Sequence, residues 1–305
     1  MTTNNHPNAE TTRTGLNINL EAGRRAFLKT AGIGAVGLAI AAGTGRAALA
    51  ESTITDADIL NFALNLEYLE AEFYLRAAFG RGLDDRDTMG TGDRGSVTGG
   101  RKVNFDTKDV RLYAREIAND EEAHVKFLRR QLGDRAVARP QINLKRSFSQ
   151  AARAAGLIGV GGEFDAYASD TNFLLAAFIF EDVGVTAYKG AAPLIQDPGT
   201  LEAAAGILAV EAYHAGLIRT VLFSRDQQDA ARAISNLRDS ADGPSNLDEG
   251  IGNENRANIV PADDNGLAFS RRPGQVINIV TLGGGERGGF FPEGLNGNIN
   301  GTQLG

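Results

Sequence analysis

Two of the three histidines in this chain lie three residues after a glutamate, and this spacing limits the possible folds more than any other feature. The pairs are Glu121-x-x-His124 and Glu211-x-x-His214, while His6 lies in a polar N-terminal stretch. Residues at positions i and i+3 of an α-helix project from one face, so each pair can bind one ion. The sequence therefore predicts two helices that each supply half of a metal site.

A second pair of motifs combines a glutamate with a tyrosine. Glu67 and Glu181 are each followed seven residues later by a tyrosine, at Tyr74 and Tyr188. Seven residues make nearly two helical turns, so the glutamate and its tyrosine share a face. The Glu-x6-Tyr and Glu-x-x-His motifs alternate along the chain, which predicts a duplicated helical hairpin.

Together the motifs match the residues with which four-helix bundles hold two carboxylate-bridged metal ions, namely Glu from two helices and Glu-x-x-His from the other two. The predicted ligands are Glu67, Glu121, His124, Glu181, Glu211 and His214. The predicted supporting residues are Glu70, Tyr74 and Tyr188, with each tyrosine hydrogen-bonded to a ligand across the site or, alternatively, packed in the core. Oxygen-rich ligation without thiolate suits two ions of iron or manganese, and iron is the expected metal. The alternative is a buried polar network without metal.

Other carboxylates lie beside the predicted ligands and compete with them for those positions. The spacing to histidine selects Glu121, and the spacing to tyrosine selects Glu67 and Glu181. The competing residues are Glu70, Asp120, Glu122 and Asp182.

Composition narrows the class of protein. A chain of 305 residues with 42% hydrophobic and 23% charged residues is typical of a soluble globular protein. The net charge of −7 argues against binding nucleic acid by bulk attraction. The absence of cysteine from these residues excludes disulfides, thiolate nucleophiles, iron–sulfur clusters and cysteine-ligated zinc.

The first 50 residues resemble a bacterial twin-arginine export signal. Arg24 and Arg25 precede a short apolar stretch at 31–42, and Ala-Leu-Ala at 48–50 fits a cleavage site. The stretch is too short to span a membrane well, although an ordinary secretory signal or an uncleaved anchor stays open. Its G-x-G-x-x-G segment at 32–37 follows no strand and predicts no nucleotide site. Cleavage would leave 26 basic and 36 acidic residues, a net charge near −10.

Apolar periodicity predicts four long helices and one short helix in the rest of the chain. They run from Thr55 to Gly80, from Asp106 or Thr107 to Gly133, from Arg146 to Ala155, from Asp170 to Gly190, and from Asp197 to Phe223. Thr55 and Asp58 fit a capping box, and Asp197-Pro198 fits a helix start. Residues 81–106 show no period and predict a loop.

The remaining residues predict a mostly irregular C-terminal extension rich in Gly and Asn. We therefore expect a signal at 1–50, a bundle at 51–235 and the extension at 236–305. Val276–Leu282 is the one candidate strand in this extension, and Phe290-Phe291 indicates docking on the bundle or on a neighbouring subunit.

Residues 55–225 resemble the ferritin-like superfamily, which includes ferritins, bacterioferritins and rubrerythrins. The ending at 288–297 is similar to the tail of the exported ferritin-like proteins related to plant desiccation-induced proteins. The segments that most resemble this group are Asn61–Tyr74, Glu116–Leu128, Phe180–Tyr188 and Glu211–Arg219. The resemblance implies an all-α four-helix bundle with a long crossover, and it carries over all six ligands. The missing cysteines exclude a rubredoxin-like module, and the long loop and tail do not suit a 24-subunit storage cage.

From these features we expect an exported dimetal protein, periplasmic or extracellular, that reacts with dioxygen or peroxide in oxidative or desiccation stress. If it is an enzyme, it is an oxidoreductase, either a ferroxidase or a peroxidase- or catalase-like protein. The alternatives are a non-enzymatic protective or structural protein and an iron-storage protein. The expected partner is a small oxidant, and no binding of nucleic acid is expected. The protein would contact a membrane only through an uncleaved signal. It could also form a homo-oligomer.

Overall fold

The computed structural model describes residues 54–301, and within them seven α-helices form most of the regular structure. The helices are α1 (Asp56–Phe79), α2 (Lys108–Leu132), α3 (Arg146–Ala154), α4 (Asp170–Ala191), α5 (Pro198–Ser224), α6 (Gln228–Asp242) and α7 (Pro273–Val280). The two-residue strands are β1 (Val97–Thr98), β2 (Ile142–Asn143), β3 (Gly252–Asn253) and β4 (Arg256–Ala257). The predicted export signal lies outside the described residues, and the proposed domain boundaries stay predictions.

Four long helices form the bundle. Helix α1 packs mainly on α2, and α4 packs mainly on α5, while α1 and α4 also touch each other. The crossover between the two hairpins contains α3 and β2, which pairs in parallel with β1 through Val97 opposite Ile142. Strands β3 and β4 form a small antiparallel pair in the C-terminal extension. The all-α bundle with a long crossover is therefore confirmed.

Three of the four long helices are capped by the side chain of their own N-cap residue, and α2 is the exception. Thr55 and Asp58 form the predicted capping box, and Asp197 accepts a hydrogen bond from the Thr200 backbone N–H at 2.7 Å. At the start of α2, Thr107 occupies the cap position but its side chain makes no capping bond. Instead Asp170, at the start of α4, accepts hydrogen bonds from the backbone N–H groups of residues 106 and 107, both at 3.0 Å. A residue of the second hairpin thus caps a helix of the first.

The structure differs from the sequence prediction in two places after α5. The segment predicted as a strand, Val276–Leu282, lies mostly in helix α7, and that prediction is wrong. Pro273 stands at the first helical position, and the Gln275 side chain accepts a hydrogen bond from the Arg272 backbone N–H at 2.9 Å. Helix α6 was not predicted either, because its short apolar stripe is diluted by Asp, Ser and Asn.

The tail docks on the bundle of its own chain. Phe290 and Phe291 are fully buried, and the Phe290 ring lies 5.1 Å from Phe148 and 4.9 Å from Phe180 between centroids. Asn296 donates its backbone N–H to the Asn65 side chain at 3.0 Å, and the Asn65 amide donates back to the Asn296 carbonyl at 2.8 Å. The segment around residue 296 is therefore joined to α1.

Three arginines are almost completely buried where α6 and the extension cover α4 and α5. Asp182 accepts hydrogen bonds from Arg219 at 2.7 Å and from Arg238 at 2.8 Å. Asp248 accepts from Arg238 at 2.7 Å and from Arg271 at 2.8 Å. Buried charges persist only when they are paired, so this network joins the extension to the second hairpin.

Helix α5 is the one described helix that is long and apolar enough, by length and composition, to cross a membrane. It also carries Glu211, His214 and Arg219 as buried residues, all directed into the protein interior. These polar contacts fit the core helix of a bundle.

Candidate metal centre

Each long helix of the bundle contributes to one buried cluster of carboxylates and imidazoles. Helix α1 supplies one glutamate, α2 a glutamate and a histidine, α4 one glutamate, and α5 a glutamate and a histidine. These residues are Glu67, Glu121, His124, Glu181, Glu211 and His214, and all are buried. The structure therefore brings all six sequence-predicted ligand residues together.

The six residues form two overlapping groups that could each hold an ion. The first group contains Glu67, Glu121, His124 and Glu211, and the second contains Glu121, Glu181 and His214. Within each group, one ligand atom from every residue lies within 4.8 Å of the others. Glu121 belongs to both groups, which is the arrangement expected of a bridging carboxylate.

The distances between ligand atoms lie within or slightly above the range expected for atoms that bind one ion. His124 Nδ1 lies 3.2 Å from Glu67 Oε2 and 3.6 Å from Glu211 Oε1. His214 Nδ1 lies 3.1 Å from Glu121 Oε1 and 3.6 Å from Glu181 Oε2. Atoms that bind one ion at about 2.1 Å lie about 3.0–3.4 Å apart in octahedral or tetrahedral geometry.

Eight buried atoms of these residues make no hydrogen bond with any part of the chain between 54 and 301. They are Glu67 Oε2, both oxygens of Glu121 and of Glu211, Glu181 Oε2, and Nδ1 of His124 and His214. These atoms face one another in imidazole–carboxylate contacts of 3.1–3.7 Å, so the buried carboxylates need positive charge beside them. Bound metal cations would supply that charge, and the residues therefore fit metal binding.

Two tyrosines hydrogen-bond Glu67 and Glu181 across the site. Tyr188 of α4 donates its hydroxyl to Glu67 Oε1 of α1 at 2.5 Å. Tyr74 of α1 donates in the same way to Glu181 Oε1 of α4. Each bond occupies one carboxylate oxygen and leaves the other, Oε2, facing a histidine. The tyrosine of each Glu-x6-Tyr motif thus hydrogen-bonds the glutamate of the other motif, which lies in the other hairpin.

Asp120 supports one of the two histidines from outside the cluster. Its Oδ2 lies 3.1 Å from His214 Nε2, and its side chain is partly exposed. A carboxylate on Nε2 favours the tautomer with its proton there, which leaves Nδ1 free to bind an ion. The sequence offered Asp120 only as a competitor of Glu121. The sequence signal that could have indicated this role is the position of Asp120 directly before Glu121.

Electrostatics of the cluster reflect the close approach of like charges. Burial and the neighbouring charges of Glu121 and Glu211 raise the pKa of Glu67 to about 8, against the opposing effect of His124. Burial also acts to raise the pKa of Glu121, but contact with both histidines holds it well below its usual range. Burial lowers the pKa of His214, yet Asp120 and Glu121 outweigh this and raise it to about 11. Without metal, protonated imidazoles would thus supply the positive charge.

The other carboxylates near the site belong to neither of the two ligand groups. Burial and the charges of nearby glutamates raise the pKa of Glu70 well above its usual value, but Glu70 belongs to neither ligand group. Glu122 pairs with Arg81 at 2.8 Å and with Lys126 at 2.9 Å. Asp182 turns away from the site into the buried arginine network.

A glycine makes room for one ligand, and the sequence reasoning missed it. A Cβ atom added to Gly184 of α4 would lie 2.4 Å from Glu211 Oε2 and 3.6 Å from Glu70 Oε1. Gly184 stands three residues after Glu181, so it faces the cluster from the same side of α4. The carboxylate of Glu211 thus occupies the space of an absent side chain.

We expect Gly184→Ala to weaken metal binding by about 10–100-fold, because the new methyl group displaces the Glu211 carboxylate. Alanine is the better helix former by up to about 1 kcal/mol, so the variant should remain folded. Gly206→Ala is the matched control, since its Cβ would meet no atom within 4 Å. Competition with a chromogenic chelator measures both affinities. Equal affinities in the two variants would show that Gly184 does not shape the site.

Comparison with known proteins identified a family and two relatives. A family model described as a ferritin-like domain matches residues 55–224. The chain is 32% identical to desiccation-related protein PCC13-62 of Craterostigma plantagineum over 74% of this chain and 78% of that protein. It is 31% identical to ferritin-like catalase Nec2 of Nesocodon mauritianus over 80% of this chain and 84% of that protein. No solved structure matches the chain.

Proposed function

Because the chain belongs to the ferritin-like family, we propose that it is an exported dimetal protein that disproportionates hydrogen peroxide in oxidative or desiccation stress. Oxygen-rich ligation without thiolate suits iron or manganese, and iron is the metal that we expect. The predicted export signal supports a periplasmic or extracellular location.

The observation that carries this proposal is the overlap of the two ligand groups at Glu121. Glu121 would belong to the ligands of both ions, and its negative charge would offset their repulsion. One of the relatives is named a ferritin-like catalase, which supports peroxide as the substrate.

Disproportionation balances without an external reductant. One peroxide molecule loses two electrons and two protons and becomes dioxygen, while a second gains them and yields two molecules of water. When bound, a redox-active metal pair supplies the electron exchange between the two molecules.

The side chains of this protein provide the setting for that chemistry. Glu67 and Glu181 are held by their tyrosine hydroxyls, so each keeps one oxygen directed at the site. Asp120 orients the His214 ring. The surrounding core excludes bulk water, because the six ligand residues are all at most 8% exposed.

The test is elemental analysis of natively exported protein combined with oxygen-electrode assays of peroxide decomposition. We expect about two metal ions per chain and one dioxygen released for every two peroxide molecules consumed. Metal content below one ion per chain, or no dioxygen from a fully loaded protein, would contradict the proposal. Many iron ions per chain would instead support storage, and stress protection without turnover would support a structural role.

A further inference from the structure

We propose that two copies of this chain associate through the outer face of α5, which residues 54–301 leave uncovered. The inner face of α5 directs Glu211 and His214 into the bundle. The opposite face is exposed along most of the helix, through Ala205, Ala209, Ala212, Tyr213 and Thr220.

This outer face lacks charge over a long distance. Between Ala203 and Thr220, the acidic, basic and histidine residues are Glu211, His214 and Arg219, and all three are buried. A surface helix normally carries charged residues on its solvent side. In the most apolar stretch of α5, however, only 33% of residues are buried within the structure. Such a face is typical of a surface that another molecule covers.

Tyr213 lies near the centre of this face. Its side chain is 80% exposed and stands near the midpoint of α5. Tyrosine is enriched at the centres of protein interfaces, because it contributes a large area at a low entropic cost. Its neighbours on the face, Ala209 and Gly216, are small and let a second helix approach closely. A two-fold axis that crosses α5 near Tyr213 would bring both tyrosines to the middle of the contact.

An apolar groove of about 90 Å³ widens the face on one side. Ala212 and Gly216 of α5 line it together with Val260, Pro261 and Phe269 of the extension. Val260 is 75% exposed, so the rim of the groove is apolar as well. The uncovered surface therefore continues from α5 onto the C-terminal extension.

The uncharged part of α5 supplies about a third of a typical dimer interface. The 18 residues from 203 to 220 are about 27 Å long and, at a diameter of about 10 Å, present about 270 Å². The adjoining groove and the exposed side chain of Val260 extend this area toward the about 800 Å² that each partner buries in a stable complex.

The charge of the chain favours a second copy over a lipid surface. The face is neutral between 203 and 220, so this part can meet the same part of a second copy without repulsion. Acidic residues at 263 and 264 lie in the extension close to Val260, and the whole chain carries −7. An anionic lipid surface would repel such a protein.

The test compares Tyr213→Arg with the control Val160→Arg, because Val160 is fully exposed on a loop outside this face. Sedimentation equilibrium of the exported protein should give twice the mass of one chain for the wild type and the control. We expect Tyr213→Arg to weaken self-association by at least about 30-fold. Circular dichroism should show unchanged helix content in both variants, and Ala209→Arg should repeat the effect at a second position.

Two results would overturn the proposal. One is a wild-type protein that sediments at the mass of a single chain at all concentrations. The other is a Tyr213→Arg variant that associates as tightly as the Val160→Arg control. Flotation with vesicles of phosphatidylcholine and phosphatidylglycerol completes the test. Single-chain mass together with vesicle binding that Tyr213→Arg abolishes would assign the face to a membrane surface.

Discussion

Replacing His214 with glutamine should lower peroxide turnover by more than about 100-fold, because even the loss of a residue that supports a metal ligand costs about 10–100-fold. Glutamine keeps the approximate length of the side chain but removes the imidazole Nδ1 that lies 3.1 Å from Glu121 Oε1. It also removes the partner of Asp120. Elemental analysis should show fewer metal ions per chain, and the initial rate of dioxygen release measures the loss of activity.

The control is Glu202→Gln, which changes an exposed glutamate on the same helix. This variant should keep both its metal content and its activity. If His214→Gln decomposed peroxide at the wild-type rate, the dimetal assignment would be wrong, whatever its fold. If His214→Gln kept two metal ions but lost activity, the histidine would serve the reaction without being needed for metal retention.

Replacing Asp248 with asparagine should lower the free energy of unfolding by about 3–5 kcal/mol, because it leaves buried arginine charge uncompensated. Asp248 is the common partner of Arg238 and Arg271, and Ser235 donates to it as well, at 2.6 Å. Urea denaturation followed by circular dichroism measures the effect. Asp229→Asn is the matched control on α6, since its ion pair with Arg232 is exposed and should contribute under about 1 kcal/mol.

The difference in stability between wild type and Asp248→Asn should depend on pH. Burial acts to raise the pKa of Asp248, but Arg238 and Arg271 outweigh it and hold that pKa below its ordinary value of 3.8. A carboxylate with a lowered folded-state pKa stabilises the protein above the unfolded value, and this contribution disappears as the pH falls through the folded value. The stability difference between wild type and Asp248→Asn should therefore stay constant near neutral pH and shrink below about pH 3.8. A difference that shrank between pH 8 and pH 6 would contradict this assignment.

The bundle and the family could be predicted from the sequence because both depend on regular spacing. The i, i+3 pairs and the apolar stripes of the long helices fix which faces turn inward. The ferritin-like, desiccation-related resemblance that these segments suggested is confirmed by the family match and by both relatives. The chemical roles of the six clustered residues stay predictions, since their geometry shows proximity rather than bound metal.

Other features could not be predicted because they depend on distant partners. Asp170 caps a helix that begins about 60 residues earlier, and only the packed hairpins place it there. The run Val276–Leu282 contains β-branched residues that suit either a strand or a short buried helix, and Pro273 with tertiary packing selects the helix. Arg238 looks like a solvent-exposed residue in the sequence until Asp182 and Asp248 enclose it.

The bond between Asn65 and Asn296 joins residues separated by 231 positions. Contacts this distant close large loops and form late, whereas the hairpins α1–α2 and α4–α5 can assemble from nearby residues while the chain is still being synthesised. Docking of the segment at 290–296 therefore requires that segment to have been translated. A chain that stopped before residue 290 could form both hairpins but would leave Asn65 and the Phe148 ring without these partners.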